Sequence, residues 1–187
     1  MVTENAPWSV KLERWITFLI QKQIPVFGIC YGHQLLAQAS GGKVDFHPYG
    51  KEIGTVRIQL LPDCSNDPLF QALPESFLAH VTHSQTVLNL PEGAICLAAN
   101  THEPNHAFRL GECAWGVQFH PEYNTDIMRS YIQEQTKELE SAGLDVSRLL
   151  YAVSETLIAV QILRNFCKFV VTRLSNKAMQ PPCCTHG

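Results

Sequence analysis

Apolar residues recur at near-helical spacing between Trp8 and Gln23, where Val10, Leu12, Trp15, Ile16, Leu19 and Ile20 mark one predicted helix face. The run Ile24 to Ile29 that follows is apolar on both sides, the pattern of a central parallel strand covered by helices. Beyond it, Gln34 to Ala39 reads as a helix closed by Gly41-Gly42, residues able to take positive φ.

From Ile53 the pattern shortens. Ile53–Leu60, Phe77–Thr82, Ala94–Ala99, His106–Leu110 and Ala114–Phe119 are strand-like and separated by turn residues, with "RLGEC" a hairpin turn. Pro68–Leu73 reads as a brief helical turn. Two helices follow, Asp126–Ala142 and Asp145 to about Leu174. In the second, Leu149, Val153, Leu157, Val160, Leu163 and Val170 form an apolar stripe beside Phe166, read as core packing. A strand–turn–helix, then strands, then terminal helices argues for an α/β fold. The middle strands either extend a central sheet or form a small antiparallel annex.

A length of 187 residues suits one domain, and a hydrophobic share of 45% is that of a globular chain with a substantial core. The formal charge of −3 gives no electrostatic grip on nucleic acid or an anionic membrane. The most apolar long segment, residues 149–171, is interrupted by polar side chains, so no transmembrane helix is expected. Seven scattered cysteines without a secretory signal indicate a reducing, cytoplasmic compartment. Cys183, Cys184 and His186 are too few for a closed zinc site, and no metal is expected.

The candidate chemistry starts in "PVFGICYGHQLLAQASGG", where a cysteine sits between glycines at a strand-to-helix turn. In a nucleophile elbow the reactive residue occupies such a turn and points out of the sheet, with small residues two before and two after it. Cys30 then lies at a helix N-terminus, whose dipole and free N–H groups stabilise negative charge. The N–H of Tyr31 is the natural first donor to the oxygen of a tetrahedral intermediate. A plain turn around an inert buried thiol has the same sequence, so the pattern alone leaves both open.

A nucleophilic cysteine needs a base, and the base needs an orienting partner. Of eight histidines, His120 in "GVQFHPEY" ends an apolar strand, with Pro121 holding it extended. Residues i and i+2 of an extended chain project to one side, which brings Glu122 within reach of the imidazole. Both motifs fall at the ends of predicted buried strands, where α/β enzymes assemble sites.

These residues resemble the class I, or triad, glutamine amidotransferases. "GICYGHQLLAQASGG" is similar to their nucleophile motif, "WGVQFHPEY" to their His-Pro-Glu motif, and "HVTHSQTVLNLPEGAICLAAN" to the segment that closes over the substrate. The resemblance spans about residues 8 to 124, with the flavour of the GMP synthetase amidotransferase domain and its stand-alone relatives. It implies a flavodoxin-like open sheet with a mainly parallel core, extra antiparallel strands and C-terminal helices. On this reading residues 1–124 are the amidotransferase-like domain, 125–178 its helical extension and 179–187 a flexible tail.

The resemblance also implies the roles. Cys30 attacks the carboxamide of glutamine, His120 protonates the departing ammonia and Glu122 orients His120. Gln34 contacts the amino-acid end of the substrate, while Thr82, Ser84 and Gln85 hold its α-amino and α-carboxyl groups. His83 is the family's structural histidine. A γ-glutamyl thioester forms and is hydrolysed to glutamate, with no metal or organic cofactor. The ammonia passes to an acceptor on a separate synthetase domain or subunit.

Family members carry strand–helix–strand units ahead of the segment matching "MVTENAPW", and a glycine loop there gives the second oxyanion-hole N–H. The numbering is therefore expected to open past that loop, with Ile24–Ile29 left an unpaired apolar edge. One missing oxyanion donor costs roughly 10²–10³ in kcat. Two alternatives follow: a γ-glutamyl peptide hydrolase using the same triad, or an impaired or truncated interaction subunit.

Overall fold

The computed structural model describes residues 1–178; the predicted tail, with Cys183, Cys184 and His186, lies outside the described residues. The first long helix, α1 (Pro7–Gln21), begins with a proline in its first turn, where the ring's fixed φ suits a helix start. The strand β1 (Val26–Ile29) and helix α2 (Tyr31–Ala39) follow with only Cys30 between them. Next come β2 (Lys43–Phe46), β3 (Glu52–Leu60), a 3₁₀ turn at Pro62–Asn66, β4 (Ser76–His83) and β5 (Gln85–Asn89). The strands β6 (Ala94–Ala99), β7 (Ala107–Leu110) and β8 (Ala114–Val117) complete the β portion.

Six strands form one open sheet in the order β1-β8-β7-β6-β3-β4, and β2 with β5 forms a separate antiparallel pair. All five predicted middle strands extend the sheet, the first of the two expectations, and the antiparallel pair is made by β2 and β5, which the sequence pattern did not mark as strands. The α/β class, the open sheet and the C-terminal helices are as expected. Parallel pairing is narrower than anticipated, confined to β1 and β8, with antiparallel pairs across the rest of the sheet. The strand β1 lies at the sheet's edge, the position expected from the resemblance and not the central one that its apolar run alone suggested, and β8 takes the fully buried position beside it. The 3₁₀ turn at Pro62–Asn66 was not anticipated, whereas the predicted turn at 68–73 is present, closed by Gln71 N–H to Asp67 O at 2.9 Å.

Alternation along the strands sends side chains to opposite faces. Trp115, Val117 and Phe119 join one core with Ile58, Leu97 and Ala79, while Ala114 and Phe108 join another with Ile16, Leu35, Leu36, Val44 and Val87. The buried Asp67 carboxylate fastens the turn after Pro62–Asn66 to the sheet, accepting from Trp115 Nε1 at 3.1 Å and Leu69 N–H at 2.9 Å.

Each predicted C-terminal helix is two. The first divides into α3 (Thr125–Glu134) and α4 (Thr136–Ser141) at Gln135, and the second into α5 (Val146–Ala152) and α6 (Leu157–Ala178). The Asn124 and Asp145 side chains cap α3 and α5, accepting from Ile127 N–H and Arg148 N–H at 2.9 Å each. The axes of α5 and α6 differ by 62°. This break resets the helical phase and corrects the predicted stripe: Leu157 is 75% exposed, while Ala159 and Ile162 are buried and Phe166 and Phe169 pack on the same core. Among the described residues no single helix is long and apolar enough to cross a membrane.

Candidate active site

The strand β1 ends because its backbone is handed over abruptly. Cys30 N–H donates to Val117 O at 2.8 Å, the last bond to β8, and Cys30 O accepts Gln34 N–H at 3.1 Å, the first bond of α2. Doing both forces Cys30 to φ 48° and ψ −100°, a conformation costly for any residue with a Cβ. This is the geometry anticipated for a nucleophile elbow. The Tyr31 N–H is in the first turn of α2, ahead of the helical ladder, where backbone donors have no partner within the helix.

Why α2 can start so close to the sheet is a matter of two glycines paired across β1 and β8. Gly28 and Gly116 are in register; a Cβ on Gly28 would fall 2.4 Å from Gly32 O, and one on Gly116 would fall 2.7 Å from His33 Nδ1. Their bare backbones form the flat patch on which the first turn of α2 rests. The predicted symmetry about Cys30 is corrected here, because a Cβ on Gly32 would meet nothing within 4 Å. His33 is wholly buried against this patch, and burial lowers its pKa to about 3, so it is neutral.

His120 is set beside this turn from two sides. It follows β8 directly, and its N–H donates to His80 O at 2.8 Å, tying it to β4. Its Nδ1 donates to Glu122 Oε1 at 2.7 Å, the i to i+2 reach expected of an extended stretch. Tyr123 stacks on the ring at 4.0 Å. Burial lowers the His120 pKa, but the adjacent Cys30 and Glu122 side chains outweigh it and lift it to about 9. Among the described residues its Nε2 has no hydrogen-bond partner.

A cavity of about 190 Å³ opens onto Cys30 and is lined by five more predicted residues, Tyr31, Gln34, Thr82, Ser84 and Gln85. It is small beside the roughly 300–1,000 Å³ of drug-sized sites, a size suited to one amino acid. A larger groove of about 660 Å³ between Ile24, Val170 and Leu174 has no Cys, Ser, His, Asp or Glu in its described lining.

Three features depart from the sequence expectation. The Gln85 carboxamide is turned away from the cavity, accepting Val2 N–H at 3.0 Å and donating to Thr3 Oγ1. Lys51 also lines the cavity, its ammonium held by Gln135 and by Glu138 at 3.0 Å. Gln118, fully buried, donates from Nε2 to Cys30 Sγ at 3.5 Å. A signal for Gln118 existed: it stands two before His120 in an otherwise apolar strand, on the same side. Lys51 had none, because its place depends on the distant helix α4.

His83, also beside the cavity, serves structure. Its Nε2 lies 2.9 Å from the buried Glu52 Oε2 and its Nδ1 lies 3.0 Å from Gln85 O. Glu52 also accepts from Asn100 Nδ2 at 2.7 Å, and His106 Nε2 lies 3.3 Å from it. Among the described residues no group of three or more His, Cys, Asp or Glu is arranged to hold a metal ion.

Residues 5–139 match the family model described as glutamine amidotransferase class-I. A GMP synthase [glutamine-hydrolyzing] of Bacillus velezensis is 37% identical over 123 residues, 61% of this chain and 23% of that protein. One from Porphyromonas gingivalis is 38% identical over 129 residues, 65% of this chain and 24% of that protein. The match thus spans about a quarter of the length of these curated relatives. The crystal structure of a glutamine amidotransferase from Thermotoga maritima superimposes with a TM-score of 0.74 at 28% identity, covering 90% of this chain and 71% of that one.

Proposed function

The chain belongs to the class-I glutamine amidotransferase family, and from that membership we propose that it hydrolyses the side-chain amide of glutamine with Cys30, His120 and Glu122. The observation that carries this reading is the meeting of two motifs. The strained Cys30 turn opens into an amino-acid-sized cavity, and the next strand delivers an imidazole already paired to a carboxylate.

The steps follow from the proton positions. With its pKa raised to about 9, His120 carries two protons at neutral pH, so it meets the sulfur as an acid, and the form of Cys30 that reacts is its thiolate. The sulfur adds to the amide carbon, and the charge that develops on oxygen is met by the Tyr31 N–H. His120 Nε2 gives its proton to the nitrogen, the C–N bond breaks, and ammonia leaves a γ-glutamyl thioester. The imidazole, now neutral, takes a proton from water, whose oxygen attacks the thioester carbon. Glutamate leaves and the thiolate–imidazolium pair is restored.

Substrate placement falls to the cavity wall. Gln34 Nε2 is committed to Gln85 O at 2.7 Å and to Gln118 Oε1 at 2.9 Å, so Gln34 offers its Oε1, an acceptor suited to an α-ammonium. Thr82 and Ser84 present backbone and hydroxyl groups on the same wall, and Lys51 adds a cation for the α-carboxylate. The ammonia would pass to an acceptor on a separate synthetase domain or subunit, a reading supported by the names of the curated relatives.

The test is labelling with a diazoketone analogue of glutamine, read by peptide mass spectrometry beside ammonia release. Cys30 should be the modified cysteine, and glutamine should protect it. A folded protein in which Cys30 stays unlabelled overturns the proposal.

A further inference from the structure

A backbone carbonyl fixes the orientation of two side-chain amides in series, and the second ends on the thiol. Gln85 O can only accept. Its partners are His83 Nδ1 at 3.0 Å and Gln34 Nε2 at 2.7 Å, so the Gln34 amide must point its NH₂ this way. The other proton of that NH₂ goes to Gln118 Oε1 at 2.9 Å. The Gln118 oxygen is thereby occupied, and its NH₂ is the end left facing Cys30 Sγ at 3.5 Å. Gln118 and Gln34 are fully and almost fully buried, so a reversed Gln34 would set its oxygen against the Gln85 carbonyl, and a reversed Gln118 would set its NH₂ against that of Gln34.

We propose that Gln118 is a catalytic hydrogen-bond donor to the Cys30 sulfur, held in that sense by Gln34 and the Gln85 carbonyl. This rests on the reading of Cys30 as the nucleophile. A donor here stabilises the thiolate and fixes its direction of attack, whereas a reversed amide would set an oxygen against a negative sulfur. Gln34 is then a positioning residue as well as part of the cavity wall.

Other groups also face the sulfur and are common to all variants compared. His120 and Tyr123 come from the stretch after β8, with Glu122 behind His120, while the Tyr31 hydroxyl of α2 is hydrogen-bonded to Ser9 Oγ at 3.0 Å. Lys51 from the β2–β3 connection and His83 from β4 line the same cavity.

The experiment is the pH profile of Cys30 alkylation by iodoacetamide in the full chain, with the site assigned by mass spectrometry and ammonia release measured in parallel. Gln118→Met keeps the length and removes the donor; Gln118→Asn keeps an amide but pulls it back from the sulfur. In each variant the alkylation midpoint should rise by about one pH unit. Ammonia release should fall about tenfold or more in kcat, with KM little changed. Gln34→Met, which frees the Gln118 amide to reverse, should shift the midpoint in the same direction by less. A variant that melts like the parent yet keeps the parental midpoint overturns the proposal, and Gln118→Asn serves if Gln118→Met does not fold. A shifted midpoint in a chain that releases no ammonia supports the sulfur contact and defeats the glutaminase reading instead. Ammonia release with unmoved midpoints defeats the Gln118 proposal alone.

Discussion

His120 donates from Nδ1 to Glu122 Oε1 across 2.7 Å, within one extended stretch that Pro121 keeps from coiling. The pair does more than orient a ring. Burial alone would strip the imidazole of its proton, and the Cys30 and Glu122 side chains reverse that outcome, raising the pKa to about 9. The His120 titration followed by NMR should therefore have its midpoint near 9, and should fall in Glu122→Gln and in Cys30→Ser. Because the folded value lies above the unfolded one, the contribution to stability is complete below about pH 6.5. It is lost as pH rises through about 9. A midpoint at or below 6.5 in the parent protein would remove the imidazolium from the mechanism.

The two glycines flanking Cys30 should respond oppositely to alanine. Gly28→Ala sets a Cβ 2.4 Å from Gly32 O, a backbone atom that cannot step aside, and should cost about 3 kcal/mol. Gly32→Ala has open space in the first turn of α2 and should fall between neutral and about 1 kcal/mol stabilising. Urea unfolding of the two variants checks this, and equal losses would show that α2 does not rest on Gly28.

Cys30 holds its positive φ at the expense of stability. Cys30→Gly removes the Cβ that makes φ 48° costly, whereas Cys30→Ala keeps it. The glycine variant should be the more stable of the two by about 1–2 kcal/mol, although neither releases ammonia. Comparing their melting temperatures isolates the strain from the loss of the thiol. An alanine variant equal to or more stable than the glycine variant would mean the turn is unstrained.

Much of this was legible in the chain itself, for physical reasons that differ by region. The elbow and the His-Pro-Glu stretch are local: strand, turn and i to i+2 geometry are set by residues adjacent in sequence, so Cys30, His120 and Glu122 could be named together. The annex of β2 and β5 was not legible, because each strand is short and mixed in character until the other pairs with it. An apolar run reads alike at the edge and in the centre, so the edge position of β1 followed only from the resemblance and not from its own pattern. Lys51 needed contacts with residues far along the chain, whereas Gln118 carried a local signal, its place two before His120 on the same side of the strand.

Glu52 should act as the acid-sensitive pin of the cavity wall. Burial opposes its charge, but His106, His83 and Asn100 hold it ionised well below the usual carboxylate range. Glu52→Gln should cost about 1–3 kcal/mol at neutral pH, since His83 and Asn100 then face a partner lacking the charge. With the folded pKa lowered, that stability is present above about pH 4.5 and lost as pH falls through the folded value. The gap between parent and variant in urea unfolding should therefore narrow on acidification, and a gap independent of pH would rule this account out.

The phase of α6 separates two accounts of what holds this helix in place. A helix continuous from Asp145 would bury Leu157 on the same stripe as Val153. The break at residues 153–156 instead turns Leu157 outward and Ile162 inward, beside Ala159 and the rings of Phe166 and Trp115. Ile162→Ala leaves a cavity in that core and should cost about 2–5 kcal/mol. Leu157→Ala, at a position 75% exposed, should stay within about 0.5 kcal/mol. The face that Ile162 packs on also carries Trp115 and Val117, the residues of β8 that lead into His120. Loosening it should reach the site, so Ile162→Ala should also lower ammonia release while Leu157→Ala does not. Losses of similar size in the two variants would restore the continuous helix and its original stripe.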